Sequence, residues 1–269
     1  MYEKYWGLLA SPFQNVPDPT FYFPSAMHQE GLRRLLYTIE HGKGAAMLTG
    51  AIGCGKTTLA REFMTVLTED KYDVALITNP DLPRDEFLQE VNHQFTIEAP
   101  GQMKAQLWRA LTSRCSENLA AGKETVLIVD EAHCICDNEV FEVLRQILNL
   151  QLNDRYLICL ILLGQPELKE RVAQNPQLDQ RVAIRYHLGP LDGAETLKYV
   201  HHRLRLAGSR GKREIFSPEA LQLIWQYSSG IPRNINNLAD LCLLAGFQSQ
   251  RPVIDGAMVR KAATEIGSV

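Results

Sequence analysis

The stretch whose reading decides the fold is Gly50-Ala51-Ile52-Gly53-Cys54-Gly55-Lys56-Thr57. It lies between an apolar run, Ala45-Ala46-Met47-Leu48-Thr49, and a helix-forming run, Leu59-Ala60-Arg61-Glu62-Phe63-Met64. Strand, glycine-rich turn and helix, in that order, are the setting in which G-x-x-x-x-G-K-[ST] cradles phosphate. Glycines let successive backbone N–H groups converge without Cβ clashes, and the helix N-terminus adds partial positive charge. Lys56 is then placed to reach the β- and γ-phosphates, and the Thr57 hydroxyl to join a Mg²⁺ shell. The residues expected around the phosphates are Gly50, Gly53, Cys54, Gly55, Lys56, Thr57 and Thr58. The motif predicts a nucleoside triphosphate site, with ATP and Mg²⁺ as its ligands.

Downstream, Asp73 to Thr78 reads as a second buried strand, followed by helices over about 84–97 and 103–121 separated by Ala99-Pro100-Gly101. Then Thr125-Val126-Leu127-Ile128-Val129 runs into Asp130-Glu131-Ala132-His133. An apolar strand ending in two carboxylates is the Walker B pattern. Asp130 is expected to hold the metal shell, and Glu131 to polarise the attacking water as a general base. A helix over about 138–153 leads to the strand Leu157 to Leu163 and then Gly164-Gln165-Pro166. Gln165, at that strand's end, either hydrogen-bonds the water or γ-phosphate as a sensor, or caps the short helix after Pro166. Leu178 to Arg185, which includes Arg181, leads into a fifth strand ending near Leu188. Either guanidinium could reach the γ-phosphate of a neighbouring subunit, Arg181 being the first choice, or form an ordinary surface salt bridge.

The flanks complete the layout. Residues 1–44 are expected to form an arm on the ATPase core, with turn formers around Pro12 and Pro17-Asp18-Pro19 and a helix from Ser25 to about Glu40. Residues 45–190 form the ATPase domain and 191–269 a helical lid, the boundary marked by Gly189-Pro190-Leu191-Asp192-Gly193. Lid helices are predicted over about 194–207, 218–228, 233–248 and 256–266, capped by Ser217 before Pro218 and by Asp255. Arg233 opens the third of them and could point back to the nucleotide. His201-His202 and Arg203-Leu204-Arg205 read as a solvated face.

Bulk properties exclude several classes. With 269 residues, 45% hydrophobic and 22% charged, the chain can bury a substantial core. A net charge of −3 gives no global field toward nucleic acid or anionic lipid. No signal peptide is visible, and the apolar run Tyr156 to Gly164 is too short to span a bilayer. Six scattered cysteines lack disulfide or zinc spacing, and Cys134-Ile135-Cys136 has no second pair nearby. A reduced, metal-free thiol set in a cytoplasmic protein is expected.

The ordered set of Walker A loop, Asp-Glu Walker B pair, polar sensor strand and helical lid resembles the AAA+ ATPases. That resemblance implies an α/β fold: a three-layer αβα P-loop domain with a five-stranded parallel sheet, plus an all-helical lid. Tyr5, Gly7, Ser11-Pro12-Phe13, Pro17-Asp18-Pro19, Phe21 and His28, with Gly164 to Leu168 and Gly230 to Arg233, resemble the ExeA/GspA family of type II secretion ATPases. The resemblance implies sensor 1 at Gln165, sensor 2 at Arg233, and a nucleotide shared at a homo-oligomer interface, as ring or filament. It implies a partner in secretion or cell-envelope assembly, and in such ATPases the N-terminal segment often lies against the adenine base. Secretion-type members continue into a membrane-spanning helix and a peptidoglycan-binding domain; the sequence, which stops at Val269 before either, is expected to be the ATPase region of such a protein or a stand-alone relative. The alternative is a stand-alone ATPase similar to the MuB/TnsC transposition regulators, with duplex DNA and a transposase as partners. Arg203, Arg205, Arg210, Lys212 and Arg213 form the dense basic cluster that reading needs. A DEAH-box helicase is disfavoured because no second RecA-like domain is present, and Glu131 argues against a scaffold that hydrolyses poorly.

Overall fold

Strands that are apolar on both faces need cover on both, and the helices between them supply it. The computed structural model describes residues 1–16, 19–98, 103–153, 155–209 and 214–267. Pro17, Asp18, Ala99, Pro100, Gly101, Arg210, Lys212 and Arg213 lie outside the described residues.

In chain order the elements are α1 (Glu3–Trp6), α2 (Ala26–Glu40), β1 (Ala45–Gly50), α3 (Lys56–Val66), β2 (Tyr72–Ile77), α4 (Arg84–Gln94), α5 (Lys104–Ala120) and β3 (Glu124–Val129). There follow α6 (Asn138–Ile147), β4 (Gln151–Leu152), β5 (Arg155–Tyr156), β6 (Cys159–Gly164), α7 (Leu168–Ala173), α8 (Pro176–Asp179) and β7 (Val182–Leu188). The last four helices are α9 (Gly193–Leu206), α10 (Pro218–Ser228), α11 (Pro232–Gln248) and α12 (Gly256–Ile266). The chain packs as two units. One contains Ala26–Ala51 and Leu59–Leu188; the other contains Met1–Ser25, Ile52–Thr58 and Gly189–Val269.

The first unit is a five-stranded sheet of order β2-β3-β6-β1-β7, parallel throughout. β1 and β6 are buried at every residue, as continuous apolar runs in a parallel sheet should be. Alternate strand residues, among them Met47, Ile77, Leu127 and Leu162, pack with Phe87, Leu88, Leu111 and Leu144 of α4, α5 and α6. α2 lies along β1, β6 and β7. Gly31 permits close packing on α3 and β7, because a Cβ there would sit 2.9 Å from the Leu59 side chain and 3.3 Å from the Tyr186 ring. In this order β1, β6 and β3 are neighbours, so their carboxyl ends lie side by side.

The helix expected to run to residue 153 stops at Ile147. Leu148, Leu150 and Leu152 alternate with polar residues, a two-residue period, and the chain turns into the β4–β5 hairpin, with Asn153 in left-handed backbone at φ 49°.

The second unit holds the four lid helices, each within a residue of its predicted limits. Ser217 accepts a hydrogen bond from Ala220 N at 3.2 Å, and Asp255 from Met258 N at 3.0 Å. The expected arm of residues 1–44 is divided, since residues 1–25 group with these helices and only α2 with the sheet. The reason is that Tyr2, Trp6, Leu8 and Phe13 are large and apolar, and α9 and α11 offer them a core. Trp6 is 3% exposed, and its indole N–H donates to Leu243 O at 2.9 Å. Tyr2 donates its hydroxyl to Asp240. Arg203, read from the sequence as part of a solvated face, is buried instead. It donates to Pro12 O at 2.6 Å and Gln14 O at 2.7 Å, and lies 4.5 Å from the Phe21 ring centroid. The carbonyls of the arm give a buried guanidinium the acceptors it requires.

Candidate nucleotide-binding and hydrolysis site

β1 ends at Gly50, paired with Leu188 of β7. A Cβ on Gly50 would lie 2.6 Å from Leu188 O, so the two strands reach this spacing only with glycine there. The loop that follows turns through Gly53 at φ 81° and Gly55 at φ 95°, left-handed backbone that L side chains rarely adopt. Gly53 also has a neighbour. Arg233 N donates to Gly53 O at 3.3 Å, and a Cβ on Gly53 would lie 2.7 Å from Arg233 Cβ. Arg233, the predicted sensor 2, is thereby brought against the loop through its backbone and the stem of its side chain, at the first turn of α11. Lys56 opens α3 and is 5% exposed, and Cys54 is fully buried. Thr57 and Thr58 follow in the first turn of the helix, where backbone N–H groups lack intrahelical acceptors.

On the sheet unit, Asp130 follows β3 and is 3% exposed. Its N–H donates to Ile77 O at 2.8 Å, extending the ladder to β2, and its carboxylate accepts Glu131 N–H at 2.8 Å. Glu131 has φ 50° and ψ 33°. A non-glycine residue pays roughly 1 kcal/mol or more for left-handed backbone, and such strain collects at functional sites. Here it breaks the strand and starts the 3₁₀ turn Ala132–Cys134. The Glu131 side chain is 43% exposed.

Gln165 emerges from β6 beside this turn. Its backbone N lies 3.3 Å from His133 Nδ1, and its side-chain amide 2.7 Å from His133 Nε2. It does not cap the next helix: Leu168 N donates to its backbone carbonyl. Glu131 and Gln165, on two different segments, are therefore both brought against His133. The sequence reading left His133 without a role, although the fourth letter of Asp-Glu-Ala-His was the available signal. Glu131, His133 and Cys134 offer ligand atoms within 4.8 Å of one another. Both ring nitrogens face Gln165, however, so the group reads as a hydrogen-bonded turn.

The two finger candidates differ in their ties. Arg185 is committed to Asp179, with contacts of 2.8 Å to its carbonyl and its carboxylate. Arg181 gives one N–H to Arg145 O at 2.9 Å. Of the basic cluster, Arg203 is buried and Arg205 donates to His202 Nδ1 at 3.2 Å. Among the described residues no helix is long and apolar enough to cross a membrane.

The donor set fits a magnesium nucleotide. The loop, in which glycine holds two left-handed positions before a buried lysine at a helix N-terminus, is the kind of group phosphate requires; on the sheet unit, the buried Asp130 after β3 is the kind of group Mg²⁺ requires. Residues 39–172 match the AAA domain family. Over its whole length the chain is 35% identical to General secretion pathway protein A of Aeromonas hydrophila, of which it spans about half (49%). Among solved structures it is similar to the Aeropyrum pernix ORC2 protein, determined as ADPNP-ADP complexes, with a TM-score of 0.68 and 18% identity over 96% of this chain and 69% of that one. It is likewise similar to Cdc6p from Pyrobaculum aerophilum, with a TM-score of 0.71 and 17% identity over 95% of this chain and 70% of that one. At such identities these likenesses establish the fold, the αβα P-loop ATPase architecture with its parallel five-stranded sheet. The chain thus carries an AAA domain and along its whole length is similar to General secretion pathway protein A.

Proposed function

We propose that the protein hydrolyses ATP with Mg²⁺ and uses the cycle to assemble or remodel a cytoplasmic complex, in secretion or cell-envelope machinery. The observation that carries the ATPase reading is the loop after β1, where Gly53 and Gly55 hold left-handed backbone and lead into buried Lys56. In this reading the loop N–H groups and Lys56 bind and orient the phosphates, and the γ-phosphate charge is matched by the lysine and the helix N-terminus. Thr57 and Asp130 would hold Mg²⁺, which when bound neutralises phosphate charge. Glu131 takes a proton from the attacking water, and Gln165 orients that water or the γ-phosphate by hydrogen bonding. Arg233 senses the nucleotide from α11. Arg181 is the finger supplied to a second copy of this chain, favoured over Arg185 because Asp179 neutralises the latter. The secretion assignment rests on the 35% identity to General secretion pathway protein A.

The test is ATP hydrolysis measured against protein concentration, with and without duplex DNA at moderate salt. A rate per subunit that rises with concentration and ignores DNA is the expected result. A further rise with DNA would favour the transposition-type regulator. Lys56→Ala is the control, and unchanged nucleotide affinity in that variant would overturn the phosphate-loop reading.

A further inference from the structure

His133 sits between the two groups assigned to the attacking water, and its side chain is 11% exposed. Its ring is held from three sides. Nδ1 lies 3.3 Å from Gln165 N and 3.4 Å from Glu131 Oε2, and Nε2 lies 2.7 Å from the Gln165 amide and 3.5 Å from Cys134 Sγ. Gly164 passes beside the ring, where a Cβ would come 3.2 Å from Nδ1. Arg171 of α7 fixes the backbone by donating to His133 O at 2.8 Å.

A neutral imidazole has one N–H, so these contacts cannot all be hydrogen bonds at once. In one arrangement the proton is on Nε2. Nδ1 then accepts the backbone N–H of Gln165, Nε2–H donates to the amide oxygen of Gln165, and the Gln165 NH₂ points away from the ring. The Glu131 carboxylate has no ring donor in that state and is open to water. In the other arrangement the proton is on Nδ1 and is turned to Glu131, and the Gln165 backbone N–H gives up Nδ1 as its acceptor. Nε2 then accepts from the Gln165 NH₂, and the amide oxygen points away.

We propose that His133 is a positioning residue that makes Glu131 and Gln165 change state together. With the proton on Nε2, base and sensor are both set for hydrolysis: a free carboxylate beside an outward NH₂ donor. With the proton on Nδ1 both are disarmed, because the carboxylate is held and the outward oxygen repels phosphate. Interconversion needs exchange of one proton with water and a half-turn of the amide, and no covalent step. The inference rests on the ATPase reading above.

The experiment is a double-mutant cycle of His133→Ala with Gln165→Ala, reading kcat and ATP affinity separately, with thermal melting as the folding check. Each single variant is expected to lose about tenfold to a hundredfold in kcat, the scale of a misplaced catalytic group. ATP affinity should stay within about twofold, and the double variant should fall no further than the worse single, since coupled residues are not additive. His133→Gln, which keeps a polar group within reach of Gln165, should recover part of the loss. Turnover of His133→Ala equal to wild type, or single losses that multiply fully in the double variant, would overturn the coupling. If His133→Ala does not fold, the cycle is run from His133→Gln, and full multiplication there overturns it equally. Wild-type protein that binds no ATP would instead refute the ATPase reading itself.

Discussion

Replacing Gly53 with alanine perturbs the nucleotide loop by one methyl group, and two costs can be worked from the structure. The first is the backbone: at φ 81° a side chain costs roughly 1 kcal/mol or more relative to glycine. The second is steric, because the new Cβ would meet Arg233 Cβ at 2.7 Å and Ile231 Cγ2 at 3.2 Å. Neither neighbour is the far end of a flexible chain, so the loop or the start of α11 must shift, at about 1–3 kcal/mol for an overpacked contact. Gly122→Ala is the matched control, since Gly122 has φ 73° with nothing within 4 Å of the added atom. That control should lose only the backbone cost, about 1 kcal/mol, and bind ATP normally. Gly53→Ala should lose more in urea unfolding and, in calorimetric titration with a non-hydrolysable ATP analogue, bind at least about tenfold more weakly, the equivalent of about 1.4 kcal/mol. Wild-type affinity together with a stability loss no larger than that of Gly122→Ala would refute the assignment of this turn as the phosphate cradle.

Glu131→Gln should keep ATP binding while turnover falls by about a hundredfold or more; a loss of only a few-fold removes the general-base role. Chelation with EDTA should stop hydrolysis and excess Mg²⁺ should restore it, whereas turnover that persists in EDTA contradicts the roles of Thr57 and Asp130. Mixing Arg181→Ala with Lys56→Ala protein should restore activity that neither has alone, and no rescue at any ratio counts against a shared interface. Arg203→Ala leaves the Pro12 and Gln14 carbonyls without their donor. It should cost about 2–4 kcal/mol, the scale of two hydrogen bonds from a buried charge, and should speed proteolysis within residues 1–25; a wild-type urea midpoint would refute the anchoring role.

Local geometry was legible in the sequence. Gly50 to Thr57 and Asp130-Glu131 are fixed by spacing within one strand–turn unit, and Ser217 and Asp255 cap helices through partners three residues away. What the sequence hid was pairing at a distance. Arg203 looks like any exposed arginine until the arm's carbonyls are beside it, and Trp6 gives no sign that it belongs with Leu243. His133 and Gln165 meet only because β6 is inserted next to β3, a matter of strand order that no local pattern encodes. The overlong reading of α6 came from leucines compatible with both periods, which the hairpin resolved.

The division of residues 1–44 bears on how the chain is made. Tyr2, Trp6, Leu8 and Phe13 share their buried cluster with Leu191 and residues beyond it, and the Trp6–Leu243 hydrogen bond joins positions 237 apart. At about 5–20 residues per second of synthesis, these aromatic residues wait on the order of tens of seconds for their partners. Throughout that interval the sheet unit, whose residues emerge first, can close on its own local contacts. The apolar side chains of residues 2–13 meanwhile stay exposed until the lid helices arrive.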